Sequence, residues 1–169
     1  VLNNHSYYSL RYGTLTPTAL MEELAAKGYP VAVLTDINCT GAVIEFLRIS
    51  LKHEIPAVVG IDVRNGIDQV AVAIAANNEG YYQLNTWISD HLHHALPFPA
   101  RLPSWSGTRI VYPAHAYRRW TPAERATPLR PNEYIGIQPR DILDVQLHPD
   151  RYPQDRLVAL HTQTFRHKK

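Results

Sequence analysis

A chain of 169 residues, 45% hydrophobic and 19% charged, has the length and composition of a globular domain with a sizeable core, which excludes extended disorder. Seventeen Lys and Arg against fifteen Asp and Glu leave a formal charge of +2, too balanced to form a nucleic-acid footprint by net charge alone. The lone Cys39 excludes an internal disulfide and no apolar run approaches the ~20 residues that cross a bilayer, so the expectation is one cytoplasmic domain over residues 1–169 with no membrane contact.

The first ninety residues alternate β-branched runs with amphipathic stretches, the βαβα pattern of parallel sheets. Val1-Leu2-Asn3-Asn4-His5 reads as a short opening strand. After a turn at Tyr12-Gly13, Thr16 caps a helix with Pro17 just inside it, and Leu20, Met21, Leu24 and Ala25 share one face. Gly28 ends that helix. Pro30 to Thr35 is apolar without alternation, as a strand buried on both faces should be, and Asp36 sits at its carboxyl end. A second helix from about Gly41 to His53 carries the stripe Val43, Phe46, Leu47 and Leu51, and Ile55-Pro56 closes it. Ala57 to Asp62 repeats the buried-strand pattern. Beyond a turn at Asn65-Gly66, Gln69 to Ala75 is a fourth strand. Glu79 to His91 is a third helix carrying Tyr82, Leu84, Trp87, Ile88 and Leu92.

From Ala95 onward prolines crowd the chain, so helices must be short and connections irregular. Arg109 to Tyr112, Tyr134 to Ile137 and Leu157 to Leu160 read as further strands. The basic segment Thr164 to Lys169 ends without a closing element, which together with the opening at Val1 is the pattern of a piece cut from a longer chain.

In parallel α/β folds ligands collect at the carboxyl ends of the strands, so His5, Asp36 and Asp62 are expected to converge on one mouth. Carboxylates and an imidazole in such a set can hold a divalent metal that activates water against a phosphate ester. The competing reading is that Asp36 and Asp62 cap helices or bind loop amides.

These residues carry a resemblance. Asn3 to Leu10 is similar to the His-x-His-Ser-x-Tyr-Ser opening of the polymerase-and-histidinol-phosphatase (PHP) domains of bacterial replicative DNA polymerase α subunits. Leu34-Thr35-Asp36-Ile37-Asn38 resembles the family's Leu-Thr-Asp-His-x-Asn region, Gly41 to Phe46 its Gly-Ala-Val-Glu-Phe helix, and Ile55 to Asp62 its Ile-x-Pro-Ile-Ile-Gly-x-Glu strand. Val72 to Tyr81 looks like the Leu-Leu-Ala-x-Asn-x-x-Gly-Tyr segment of the polymerase branch. The motifs cover residues 2 to about 92; later matches, at Tyr134 to Ile137 and Thr164-Phe165-Arg166, are loose. The resemblance implies an α/β fold, a distorted TIM-like barrel, incomplete in this chain.

Metal-binding members build a trinuclear centre, and the departures from it can be named. Asn3 replaces the first His, Ile37 stands where the His after Thr-Asp belongs, Val70 where a strand-four His would sit, and Asp62 shortens a Glu. The Asp-x-His motif near the end of a complete PHP domain is not recognisable. An apolar side chain donates no lone pair, and one methylene fewer misses the ~2.0–2.2 Å metal–oxygen reach. His5, Asp36 and Asp62 are thus vestigial ligand candidates for Zn or Mn, with no cofactor expected in this segment.

By resemblance, then, the parent protein is a DNA polymerase III α subunit and this segment a non-catalytic scaffold. Its partners would be the rest of the α chain, a proofreading exonuclease subunit, and DNA through the parent enzyme. The alternative is a metal-dependent phosphoesterase or 3′–5′ exonuclease with a reduced ligand set. Among other features, His91 and His94 stand three apart but suit a helix C-terminus as well as a metal. Arg118-Arg119-Trp120 and Arg166 to Lys169 could meet a phosphate backbone or simply be solvated. Tyr7, Tyr8, Tyr81 and Tyr82 read as core or rim packing. Cys39 lacks a basic neighbour that would mark it as a nucleophile.

Overall fold

The computed structural model describes residues 2–164, so the readings on Val1 and on Phe165 to Lys169 lie outside the described residues. The opening strand is the short β1 (Asn3–Asn4). Helix α1 (Pro17–Ala26) starts as its sequence dictates: the Thr16 side chain accepts from the Ala19 amide, and Pro17 takes the first turn, where no amide donor is needed. Leu20, Met21 and Leu24 face inward. Gly28 turns the chain at φ +69°, a conformation that favours glycine. Strand β2 (Ala32–Ile37), helix α2 (Val43–His53) and strand β3 (Ala57–Asn65) then complete a βαβ unit in which β2 and β3 pair in parallel.

The parallel pattern breaks next. Asn65 and Asp68 are paired across a hairpin whose Gly66 has φ +61°, so β4 (Asp68–Ala75) returns antiparallel to β3, and β5 (Thr108–Pro113) lies antiparallel on its other side. Strands β6 (Glu133–Ile137) and β7 (Leu157–Ala159) extend the sheet in parallel, giving the mixed order β2-β3-β4-β5-β6-β7. The turn residues Asn65-Gly66, not the composition of β4, decide its direction, because so short a connection cannot make a crossover.

The sheet curls. Val33, Val72, Ile74, Val111 and Leu160, with Leu2, Val58, Tyr134 and Val158, form one cluster to which strands from β2 to β7 all contribute. No closed barrel of backbone pairing results among the described residues. Instead β8 (Thr162–Gln163), two residues beyond β7, pairs in parallel with β1. The Asn4 side chain in turn binds the Val33 carbonyl on the free edge of β2 at 2.8 Å. A side chain thus covers an edge that would otherwise present unpaired backbone.

On the outer face, α1 and α2 pack Leu20, Met21, Leu24, Val43, Phe46 and Ile49 against Leu34 and Val59. The stripe expected on α2 is rotated: Leu51 is 79% exposed, while Ile49 and Ser50 are buried. Helix α3 (Asn78–His93) buries Leu84 and Ile88 as its periodicity requires, but Tyr82 and Leu92 face solvent. Its entry is built on close contact. The Asn77 side chain caps the Gly80 amide at 2.8 Å, and a Cβ on Gly80 would fall 1.7 Å from the Gly107 carbonyl oxygen. Gly80→Ala must push the helix off the Gly107 backbone that leads into β5, and thermal unfolding will show a loss of about 2 kcal/mol; a melting temperature equal to wild type would refute the contact.

The proline-rich half has only short helices, α4 (Ala114–Arg118), α5 (Pro122–Ala126) and α6 (Ile142–Leu147). Two ionic knots organise it. Glu133, fully buried, accepts from Arg101, from the Arg130 amide and from the Tyr112 hydroxyl, while Arg101 also binds the Thr127 and Pro128 carbonyls. Arg118 gathers Asp141, Asp144 and Tyr152.

Candidate functional site

Strands β2 and β3 run parallel and in register, so their carboxyl ends lie at one edge of the sheet. Asp36 pairs with Ile61, however, and Asp62 with Ile37. Residues paired across a ladder share a face and successive residues alternate, so this one-residue offset sends the two carboxylates to opposite faces.

Asp62 points to the inner face and meets His5. The His5 Nε2 to Asp62 Oδ2 distance is 2.8 Å, and both side chains are buried. The same carboxylate accepts from Asn3 Nδ2 at 3.1 Å, from Arg64 Nη2 at 2.8 Å and Nε at 3.2 Å, and from Gln69 Nε2 at 2.9 Å. Burial pushes the Asp62 carboxyl up, but the hydrogen bonds from His5 and Arg64 and their charges outweigh it and hold the group below its ordinary value. Asp62 is therefore ionised near neutral pH. A carboxylate only accepts, so the facing Nε2 of His5 carries a proton, and its Nδ1 lies buried with no protein partner.

Asp36 makes a separate arrangement. Its oxygens accept from the Ser6 amide at 2.7 Å, the Ser6 hydroxyl at 2.7 Å and the Ser9 hydroxyl at 2.6 Å. The Ser9 oxygen in turn accepts from the Ile37 amide. Asp36 thus fixes the turn that follows β1 onto the end of β2.

The sequence placed His5, Asp36 and Asp62 at one mouth; the structure joins His5 to Asp62 and commits Asp36 to the serines. It also adds two residues that the sequence reading passed over. Arg64 is two residues beyond Asp62 on the same strand, and so on the same face, and Gln69 is its partner across the hairpin. A strand read two residues further would have exposed Arg64; Gln69 comes to this face only through the irregular register between Val63 and Arg64, which leaves Val70 as the extra residue. Val70, at the position of an expected ligand, is packed in the core beside Ala71 and Leu84.

This donor set does not fit a divalent ion. The lone pairs of Asp62 face five N–H donors, one set belonging to a cation, and the Nε2 of His5 has its proton directed at the carboxylate. Among the described residues, no group of three or more His, Cys, Asp and Glu is arranged to hold a metal.

The remaining features take structural places. His91 and His94 bind the carbonyls of Trp87 and Asp90 through Nδ1, closing the end of α3. Trp120 is buried beneath the Arg101 guanidinium and so is not an exposed stacking surface; Arg118 and Arg119 pair with acidic residues. Tyr8 and Tyr81 pack against the core while Tyr7 and Tyr82 are exposed. The Cys39 sulfur accepts from the Gly41 amide.

The sequence profile of the PHP domain matches residues 2–111, well over half the chain. The chain belongs to the PHP-domain family. Over 88 residues it is 33% identical to a DNA polymerase III subunit alpha from Ureaplasma parvum, covering 52% of this chain and 9% of that protein. The chain thus spans under a tenth of the length of that relative. Among solved structures, it is similar to an amidohydrolase from Chromobacterium violaceum with bound sulfate and no metal (28% identity, TM-score 0.39, 56% of this chain and 34% of that one). It is also similar to a candidate metal-dependent phosphoesterase from Bifidobacterium adolescentis (12% identity, TM-score 0.44, 92% and 79%). In this PHP domain the opening motif has a visible physical task. Asn3 bridges Asp62, Thr35 and Thr162, His5 reaches Asp62, and Ser6 and Ser9 hold Asp36. No helix among the described residues is long and apolar enough to cross a membrane.

Proposed function

We propose that this PHP domain is a scaffold and interaction segment of a bacterial replicative polymerase α subunit, and that it performs no hydrolysis itself. One observation carries the reading: the Asp62 carboxylate on β3 is neutralised by the protein's own Arg64 and surrounded by amide and imidazole donors. Metal-assisted hydrolysis requires an open coordination position beside a group that lowers the pKa of water. A carboxylate held by internal donors offers neither; it cross-links strands instead. The polymerase connection is supported by the alpha-subunit relative and by the Asn-x-x-Gly-Tyr helix entry at Asn77 to Tyr81.

On this reading DNA-directed nucleotidyl transfer is the work of other parts of the parent chain. The partners of the domain are the rest of that chain and a separate proofreading exonuclease, with DNA reached through the parent enzyme. The test is bound-metal content after dialysis against zinc and manganese, together with hydrolysis of a chromogenic phosphate ester and of single-stranded DNA. The expected result is near-zero stoichiometry and no turnover. Two or three ions per chain with a chelator-sensitive rate would make the domain a phosphoesterase and end the scaffold reading.

A further inference from the structure

The family's metal chemistry and the residues at the end of β3 disagree, and the disagreement has a definite form. Arg64 is not a surface arginine that happens to lie nearby. Its side chain is 12% exposed against a fully buried carboxylate, and it presents Nε and Nη2 to one oxygen of Asp62. Its backbone is fixed on both sides by Asn38, whose Oδ1 accepts from the Arg64 amide and whose Nδ2 donates to the Arg64 carbonyl. Asn38 itself adopts φ +48° and donates its amide to the Asp62 carbonyl. The guanidinium lies 5.0 Å from the centre of the Tyr12 ring, so an aromatic face covers it. Each of these contacts is made by the protein's own groups.

We propose that Arg64 is the resident cation of this site. Its guanidinium takes the place of a divalent ion against Asp62, and the pair ties β1, β3, β4 and β8 together through Asn3, His5, Gln69 and Thr162. A guanidinium suits this task because it is permanently charged, planar and weakly hydrated, and directs several donors at once. The inference deepens the scaffold reading above and rests on it: the charge of Arg64 serves cohesion.

A double-mutant cycle tests it. Asp62→Asn, Arg64→Ala and the double variant of the 169-residue chain are compared by thermal melting, with and without millimolar manganese or zinc. Either single variant strands one member of a buried pair and should melt about 10 °C below wild type. The double variant should melt no lower than the worse single one, the signature of a coupled pair. Methylguanidinium should raise the melting temperature of Arg64→Ala, while neither metal should raise that of wild type. If Arg64→Ala fails to fold, comparing Asp62→Asn with the double variant still measures what Arg64 does without its partner. Additive losses, or stabilisation of the wild type by either metal, would overturn the proposal. Additive losses without hydrolysis would remove only the role of Arg64; metal-stimulated hydrolysis would remove the scaffold reading itself.

Discussion

The Glu133→Ala variant will melt about 10 °C below wild type, through loss of roughly 3–5 kcal/mol. Glu133 is fully buried and is bound by Arg101, by the Arg130 amide and by the Tyr112 hydroxyl, which itself accepts from the Leu102 amide. Truncating the acid leaves the largely buried Arg101 without its counter-charge, and the Thr127 and Pro128 carbonyls lose the arginine that holds their loop. The effect depends on pH in a fixed sense. Burial pushes Glu133 up, but Arg101 and Arg130, through hydrogen bonds and charge, hold it below its ordinary value. A depressed carboxyl contributes stability that is complete above its unfolded pKa of about 4.5 and is lost as pH falls through the folded value. The gap between wild type and variant should therefore be constant near neutrality and narrow below about pH 4. A variant melting within experimental error of wild type at pH 7 would show that the knot does not hold the proline-rich half.

Asp36→Ala should lower the urea midpoint by the equivalent of about 3 kcal/mol, with little change in slope. Three donors converge on this carboxylate, and the Ser6 amide and the Ser6 and Ser9 hydroxyls all lose that acceptor once it is gone. The turn from Ser6 to Ser9 would then lose its attachment to β2. Ser9→Ala, which removes one of the three contacts and the acceptor of the Ile37 amide, should cost less. Hydrolytic activity should not distinguish these variants from wild type. A metal-stimulated rate present in wild type and absent from Asp36→Ala would instead place Asp36 in a catalytic centre.

The first half of the fold was legible because its elements obey local rules. Thr16-Pro17 specifies a cap and first turn, Gly28 a left-handed exit, and the buried runs before Asp36 and Asp62 two parallel strands. Asn65-Gly66 was read as a turn, yet its consequence for the direction of β4 needed the pairing itself. The exposed faces were harder. Leu51, Tyr82 and Leu92 are apolar residues that hydrophobicity assigns to the core and the helix rotation places in solvent. The site was half legible, since His5 and Asp62 were identified and Arg64 and Gln69 were not. A search for metal ligands overlooks a cation, and Gln69 becomes relevant only through the hairpin register. The proline-rich half offered least because Arg101 with Glu133 and Arg118 with Asp141 act across separations of 32 and 23 residues with no period to read.

The pairing of β1 with β8 bears on how the protein is made. Asn3 meets Thr162 across a separation of 159 residues, so the ladder between β1 and β8 cannot form until almost all of this segment has left the ribosome. At a synthesis rate of about 5–20 residues per second, that wait is on the order of ten seconds. During it the β2–β3–β4 unit, whose contacts are close in sequence, can already assemble, while Asn3 and His5 reach the Asp62 network with Thr162 still missing. The slowest step of folding should then be the arrival of the last strand, and a chain stalled shortly before Leu157 should expose the edge of β6 and invite association with a second chain.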